Sequence, residues 1–277
     1  MTSPSWQDFG THDESAYPEL WDGVVGAWCP SLGPTGSRLH DMSRRSNWGT
    51  LTNMDAATDW VVSGGQYALD FDGADDYVPL SRNVFSGLSV VTVSMWARPR
   101  TTTDRVEITQ GTDNLNRCGF AFSEDGNAYV VPNFSGTATG FGFAAWSGFG
   151  VSSFLHGVFV YNSIGSANAD RGKIYLNGIR QTLSFVGTLP TTAISQAGTP
   201  FIGARPGPAT YSNGQADDIT VWNRELSPNE IRQLYLLGRG GMYERRRRTL
   251  RRVAVDQGAA FKAYWARRQN QIIGGGV

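Results

Sequence analysis

The sequence predicts an all-β sandwich with one short helix near the end of its body and an extended arm at each terminus. Three observations predict it. The chain holds 34 glycines and 12 prolines in 277 residues, and that density of turn-forming residues fits many short strands better than helices. Several segments of strand length are apolar throughout or alternate polar with apolar, and turn residues separate them. Apolar residues make 40% and charged residues only 17% of the chain. That composition belongs to a globular protein with a full core, at a length suited to one large domain.

The elements follow in chain order. Residues 88–97 (LSVVTVSMWA) are β-branched and apolar on both faces, as a strand inside a sandwich is. The stretch 134–150 (FSGTATGFGFAAWSGFG) is rich in Gly and Phe. It reads first as a strand pair with glycine bends; the alternative is an exposed aromatic loop that meets a sugar or a neighbouring subunit. Residues 157–161 (GVFVY) form another strand. Lys173–Leu176 runs through Asn177-Gly178 into Ile179–Gln181, a hairpin signal because both turn positions need positive φ. Residues 217–222 (DDITVW) alternate, which predicts one packed and one wet face. Ser227-Pro228-Asn229-Glu230 is a capping box with Pro at the first helical position. Ile231, Leu234 and Tyr235 then repeat at helical spacing, and Gly238 supplies the stop. This helix is expected to seal one open end of the core.

Charge divides the chain into three. Residues 1–23 hold five acids and no Lys or Arg, whereas residues 239–277 hold nine Arg and Lys262 against Glu244 and Asp256. The whole is formally neutral. The domain reading is an acidic arm over 1–23, a sandwich over 24–237 and an Arg-rich docking arm over 238–277. Cys29 and Cys118 make no disulfide framework and read as two buried thiols. No apolar run approaches the ~20 residues of a membrane span. The first residues lack the basic and apolar regions of a secretory signal, which predicts assembly in a cytosol.

Several blocks then align with a known family: 24–51, ALDFDGADDYVPL (68–80), VTVSMWARPR (91–100), HGVFVYN (156–162), GKIYLNGIRQ (172–181), FIGAR (201–205) and GQADDITVWNRELSPNEIRQLY (214–235). In order and spacing they resemble a LamG-like jelly-roll domain of the concanavalin A-like class. The resemblance implies two antiparallel sheets of six or seven strands. NWGTLTNMDAATDWV (47–61), with the Arg-rich tail and the terminal AYWARRQNQIIGGGV, is similar to LamG-type proteins encoded in tailed-phage and prophage structural gene clusters.

Glucanases of this class place carboxylates on one strand as E-x-D-x-E, because nucleophile and acid must flank the glycosidic bond about 5 Å apart. Glu107 is followed instead by Ile108 and Thr109, and Asp113 lies beyond a glycine. His12, His40 and His156 are widely spaced, and no nucleophile-elbow, P-loop or zincin motif occurs. A hydrolase is not expected. His156 reads as a satisfied polar residue rather than a base.

Asp70, Asp72, Asp75 and Asp76 cluster in one turn, and Asp217-Asp218 open the closing strand. Asp70 and Asp72 read first as turn-capping carboxylates, and Asp75 and Asp76 as a solvated bend. The alternative, which the resemblance favours, is calcium, a cation that takes six to eight oxygens; Asp72, Asp217 and Asp218 are its candidates. Trp28, Trp96 and Trp222 lie on strand-like segments and read as core, while Trp48, Trp60 and Trp146 lie in loop-like contexts and read as exposable. No aromatic pair with a flanking acid and amide marks a glycan site.

In the tail, Arg245, Arg246, Arg247, Arg248, Arg251 and Arg252 form a basic run. Phe261, Tyr264 and Trp265 follow at helical spacing, then Ile272 and Ile273. Solvated tails do not carry such anchors, so the segment reads as docking on other copies of the chain or on a capsid or tail protein, with nucleic acid the weaker alternative. The functional expectation is a non-enzymatic virion protein, first a capsid decoration protein and second a tail or fibre component. The rival is a free carbohydrate-binding lectin.

Overall fold

A computed structural model describes residues 16–113, 115–123, 125–135, 140–207 and 210–243. In chain order the strands are β1 (Val24–Trp28), β2 (Arg38–Leu39), β3 (Gly49–Thr50), β4 (Trp60–Ser63), β5 (Gln66–Asp72), β6 (Val78–Pro79), β7 (Val90–Pro99), β8 (Val106–Asp113) and β9 (Asn116–Phe122). They continue as β10 (Asn127–Ser135), β11 (Phe141–Ala145), β12 (Leu155–Asn162), β13 (Gly172–Leu176), β14 (Ile179–Arg180), β15 (Ser184–Val186), β16 (Pro200–Ile202) and β17 (Asn213–Trp222). Among the described residues three short α-helices accompany them: α1 (Pro18–Trp21), α2 (Asn168–Arg171) and α3 (Pro228–Leu237).

Two antiparallel sheets face one another as a jelly roll. The eight-stranded sheet runs β14-β13-β12-β7-β17-β5-β4, with β1 also pairing β17, and the seven-stranded sheet runs β15-β11-β10-β9-β8-β16-β6. Val91, Val93 and Met95 of β7, Phe159 of β12 and Val221 of β17 meet Ile108 of β8, Phe120 and Phe122 of β9 and Val130 of β10 in the main core. Each contributes every second residue, because successive strand side chains point to opposite faces. Of the 134–150 stretch, Phe141–Ala145 forms β11, and its partner residues Asn127–Val130 of β10 lie before the stretch, so the expected strand pair is not contained within it. Asn177 and Gly178 turn the β13–β14 hairpin at φ 50° and 77°, as the Asn-Gly signal required.

The eight-stranded sheet is covered on its outer face as well. Val158 and Val160 of β12, Tyr175 of β13 and Trp222 of β17 bury against Leu20, Trp21, Ile231, Leu234, Met242 and Tyr243 in a second core. Three expectations change with it. Helix α3 covers a sheet face rather than sealing an open end, because β12 is apolar on both sides and water must be excluded from each. Strand β17 is buried at nine of its ten positions, so its expected wet face is dry. The boundaries at 23 and 238 fall inside the packed unit. Leu20 is wholly buried, the Trp222 Nε1–H donates to the Leu20 carbonyl at 2.7 Å, and Trp21 meets Tyr243 edge-on at 5.6 Å.

The α3 capping box forms as written: the Ser227 hydroxyl accepts from the Glu230 N–H, and Glu230 accepts from the Ser227 N–H at 2.8 Å. Trp60 and Trp146, expected to be exposable, are buried, and their indole N–H groups donate to the Gly36 and Ser123 carbonyls. Trp48 is exposed, with the Arg38 guanidinium over its ring. Trp28 and Trp222 are core, whereas Trp96 faces outward from β7 and stacks with His156 and Tyr235. Both cysteines are free and buried. Among the described residues no helix is long and apolar enough to cross a membrane.

Candidate functional site

The open face of the molecule is the outer side of the seven-stranded sheet. Strand β9 sends Cys118, Phe120 and Phe122 into the core, so Gly119 and Ala121 face out and leave a trough. Register builds its walls. Ala121 pairs with Glu107 of β8 on one side and Tyr129 of β10 on the other, and Tyr129 pairs with Phe143 of β11. One row across four strands therefore reads carboxylate, methyl, phenol, phenyl. The result is a hollow of about 250 Å³ lined by Glu107, Arg117, Gly119, Ala121, Tyr129 and Arg205 among others.

Its two walls differ in chemistry. On the β10–β11 side Tyr129, Phe141 and Phe143 are half-buried and in mutual contact, with Tyr129 stacked on Phe143 at 5.6 Å and 28°. Such rings offer apolar faces to a ligand while staying fixed by one another. On the β8 side Glu107 is 4% exposed and stands between two guanidinium groups, 3.5 Å from Arg105 and 3.7 Å from Arg205. Burial, with Arg205 and Arg105 nearby, pushes Arg117 down to about 10 against the pull of Glu107. Sequence reading took Glu107 only as a carboxylate without a catalytic partner. The available signal was the alternation Arg105-Val106-Glu107-Ile108-Thr109, which puts charge on the outer face of an apolar strand.

The three metal candidates fall in two places. Asp72 lies at the end of β5 with Asp75 and Asp76, their carboxylate oxygens within 4.8 Å. Asp72 pairs with Asn213 at the start of β17, before the strand reaches Asp217. Asp72 caps the turn by accepting from the Ala74 N–H at 2.7 Å, and Asp76 accepts from the Asp72 N–H at 3.0 Å. Burial, then the charges of Asp72, Asp59 and Asp75, raise Asp76 to about 6 despite that hydrogen bond.

Asp217 and Asp218 sit at a bulge in β17, where Asp218 and Ile219 stand opposite Met95 and Asp218 takes φ 45°. Here β17 changes neighbour from β5 to β1. Asp217 accepts from the Ser31 and Asp218 N–H groups at 2.8 Å and from Arg239 Nε at 2.6 Å. Asp218 accepts from Cys29 Sγ at 2.8 Å, from Ser31 Oγ at 2.9 Å and from the Gly240 N–H. Every carboxylate oxygen of the pair already accepts a protein hydrogen bond, and the Arg239 cation occupies the place a metal would take. The pair does not fit calcium; it ties residues 29–31 and 239–240 to the sheet. Burial and the two carboxylates push the Cys29 thiol well up, so it acts as a donor and not as a thiolate ligand.

His156 is fully buried against Ser94 Oγ at 2.9 Å, and burial alone pushes it down to about 3. It stays neutral and has no part in proton transfer near neutral pH. The docking residues read from sequence, Arg245 to Arg248, Arg251, Arg252, Phe261, Tyr264, Trp265, Ile272 and Ile273, lie outside the described residues.

A two-sheet jelly roll with one face covered and the other carrying an aromatic and charged trough is a lectin-like domain. Residues 72–232 match the family model described as the concanavalin A-like lectin/glucanases superfamily, and the chain belongs to that family. No curated protein matches it in sequence. Among solved structures, the botulinum neurotoxin serotype D binding domain matches with a TM-score of 0.59 at 13% identity, over 80% of this chain and 52% of that one. The Trypanosoma rangeli sialidase in complex with sialic acid gives 0.51 at 15%, over 77% and 33%. Domain 4 of AbnA, an extracellular arabinanase of Geobacillus stearothermophilus, in complex with arabinotriose, gives 0.52 at 15%, over 76% and 97%. The chain thus spans a third of the sialidase and about half of the toxin domain, and at these identities the likeness is one of fold.

Proposed function

We propose that the chain is a non-enzymatic glycan-binding module displayed on a tailed-phage particle, as a capsid decoration protein held by its terminal segments. The observation that carries the glycan reading is the trough on the seven-stranded sheet. An apolar wall of fixed rings faces a wall of charged groups across a floor of Gly119 and Ala121, and a sugar offers one apolar face and a rim of hydroxyls to match. Convergent polar groups beside an apolar surface are the usual make-up of a small-ligand site. The neighbours whose structures hold a sugar or bind a receptor support the same class. The non-enzymatic reading rests on how the two carboxylates of the hollow are held: Glu107 stands between Arg105 and Arg205, and Asp125 accepts from the Tyr129 hydroxyl, whereas a retaining glycosidase needs two carboxyls about 5 Å apart, one as nucleophile and one as acid.

The virion reading rests on the sequence likeness to phage structural proteins and on the anchors beside the charges of the two terminal segments. Protein partners, other copies or a shell protein, belong to this part of the proposal. Calcium enters at the Asp72–Asp76 turn, where a cation would relieve crowded negative charge.

The test is an array of oligosaccharides probed with the full chain, followed by calorimetric titration of the binders. Saturable binding is expected, weakened about tenfold by Tyr129→Ala through loss of the ring face. Absence of binding to every glycan, or an unchanged affinity in Tyr129→Ala, overturns the site. For the virion part, a chain ending at Tyr243 should fold yet fail to join particles; normal incorporation overturns the docking role of the tail.

A further inference from the structure

Lysine is almost absent from this chain. Lys173 and Lys262 stand against 22 arginines, so a cation needed only for its charge is supplied elsewhere by Arg. Lys173, the only lysine among the described residues, is the second residue of β13 and pairs with Val160 of β12. It shares the outward face with Tyr175 of the second core. Its side chain is 13% exposed, and Nζ donates to Glu225 Oε1 at 2.5 Å. An amine differs from a guanidinium in one respect that matters here: it can give up a proton and act as a nucleophile.

The carboxylate that holds Lys173 holds a side-chain amide as well. Glu225 Oε2 accepts from Asn162 Nδ2 at 3.0 Å. Asn162 ends β12 on the same face as Val160, the partner of Lys173. Asn162 Oδ1 accepts from the Ile164 N–H at 3.1 Å, which orients the amide and polarises its carbonyl. The neighbours of Glu225 are fixed too: Thr92 Oγ1 donates to the Arg224 carbonyl at 2.7 Å and accepts from the Leu226 N–H at 3.2 Å. One carboxylate therefore bridges an amine and an amide, and a backbone N–H sits on the amide oxygen. These are a nucleophile, its base and an oxyanion donor in contact with one another.

We propose that Lys173 and Asn162 form an isopeptide bond, with Glu225 as the proton-transfer group. Both nitrogens touch one carboxylate, so a side-chain rotation brings Nζ to Cγ at the ~3–3.5 Å of a reacting pair. Glu225 takes a proton from Lys173 Nζ, and the neutral amine attacks Asn162 Cγ. The Ile164 N–H meets the charge that develops on Oδ1. Glu225 passes its proton to Nδ2 and takes a second one from Nζ. The Nζ–Cγ bond has formed, the Cγ–Nδ2 bond breaks, and ammonia leaves. The second proton passes to solvent. No electron is exchanged and no co-reactant is needed. The bond ties the end of β12 to the start of β13 across α2, in the sheet whose outer face carries the second core. It rests on neither the glycan nor the virion reading.

The test is the mass of the full chain, whole and after proteolysis. The parent should weigh less than its sequence by one ammonia. The peptides that hold Asn162 and Lys173 should emerge as one branched species. Glu225→Gln keeps the size of the side chain, removes the base, and should slow the linkage about a hundredfold. Glu225 is partly exposed, so the variant should fold, which circular dichroism checks. Lys173→Arg keeps the cation and serves as a second variant; it should show the full mass with the Asn162 peptide free. Ammonia lost only within the peptide that holds Asn177-Gly178, with no branch, marks cyclisation at that turn and counts against the proposal. Separate Asn162 and Lys173 peptides in the parent after prolonged incubation, or a link that forms as fast in Glu225→Gln, overturn it.

Discussion

Asp76 carries its charge in an unfavourable place. Burial and three neighbouring carboxylates raise it from 3.8 to about 6. A carboxyl whose folded value lies above its unfolded value holds its proton more tightly in the folded state. The stability it contributes is therefore fully present below about 4 and is lost as pH rises through about 6. Asp76→Asn keeps an oxygen to accept from the Asp72 N–H and removes the charge. The variant should melt higher than the parent at pH 7, and its melting temperature should vary less between pH 4 and 6. Asp217 is raised in the same direction by burial and by Asp218, against Arg239, so the difference between parent and variant isolates Asp76. Calcium bound at this turn adds stability to the folded state alone. It should raise the melting temperature of the parent and not of Asp76→Asn; a parent indifferent to calcium and chelator removes the calcium proposal.

Among the elements, α3 shows how a local signal and a distant surface cooperate. Its start is set within four residues by Ser227, Pro228 and Glu230. Its place is set by the outward residues of β12, β13 and β17, which no part of the helix sequence describes. Arg224 joins the two, reaching Glu230 of the helix at 2.6 Å and the Asp22 carbonyl at 2.9 Å. Ser227→Ala deletes the side-chain acceptor for the Glu230 N–H and should cost about 1 kcal/mol, read as a shift in the denaturant midpoint at constant slope. The helix covers the eight-stranded sheet, so glycan affinity on the opposite sheet should not change in this variant.

At the scale of the molecule, the described ends of the chain are structural. Leu20 and Trp21 from one end and Met242 and Tyr243 from the other fill the second core, and Arg239 reaches back to Asp217. Both ends also converge on one side of the eight-stranded sheet, away from the trough, so a particle bound through that side leaves the seven-stranded face open to ligand. A fragment of residues 16–243 should melt in one cooperative transition. A fragment of 24–237 loses those four side chains, each large buried deletion costing about 2–5 kcal/mol, and strips Asp217 of its buried counter-charge. It should melt far lower or without cooperativity in calorimetry. Equal melting of the two fragments would return the boundaries to 23 and 238.

The sandwich was legible because its signals are short-range. The Ser227 capping box, the Asn177-Gly178 turn and the apolar runs at β7 and β12 each depend on a few adjacent residues and on the pleat or helix they enter. By itself the sequence therefore determined the strands, the helix and a globular β body. Tertiary structure alone decided what the outward residues meet. Asp217 and Asp218 read as metal ligands until Ser31 and Arg239, one of them 186 residues away, took their oxygens. Strand β17 read as half wet until α3 and residues 241–243 covered it. The trough exists because strand order sets Glu107, Ala121, Tyr129 and Phe143 in one row and the loop after β16 brings Arg205 beside them. Pairing order and register are non-local choices, made by burial of the opposite faces of these strands, and no stretch of sequence states them.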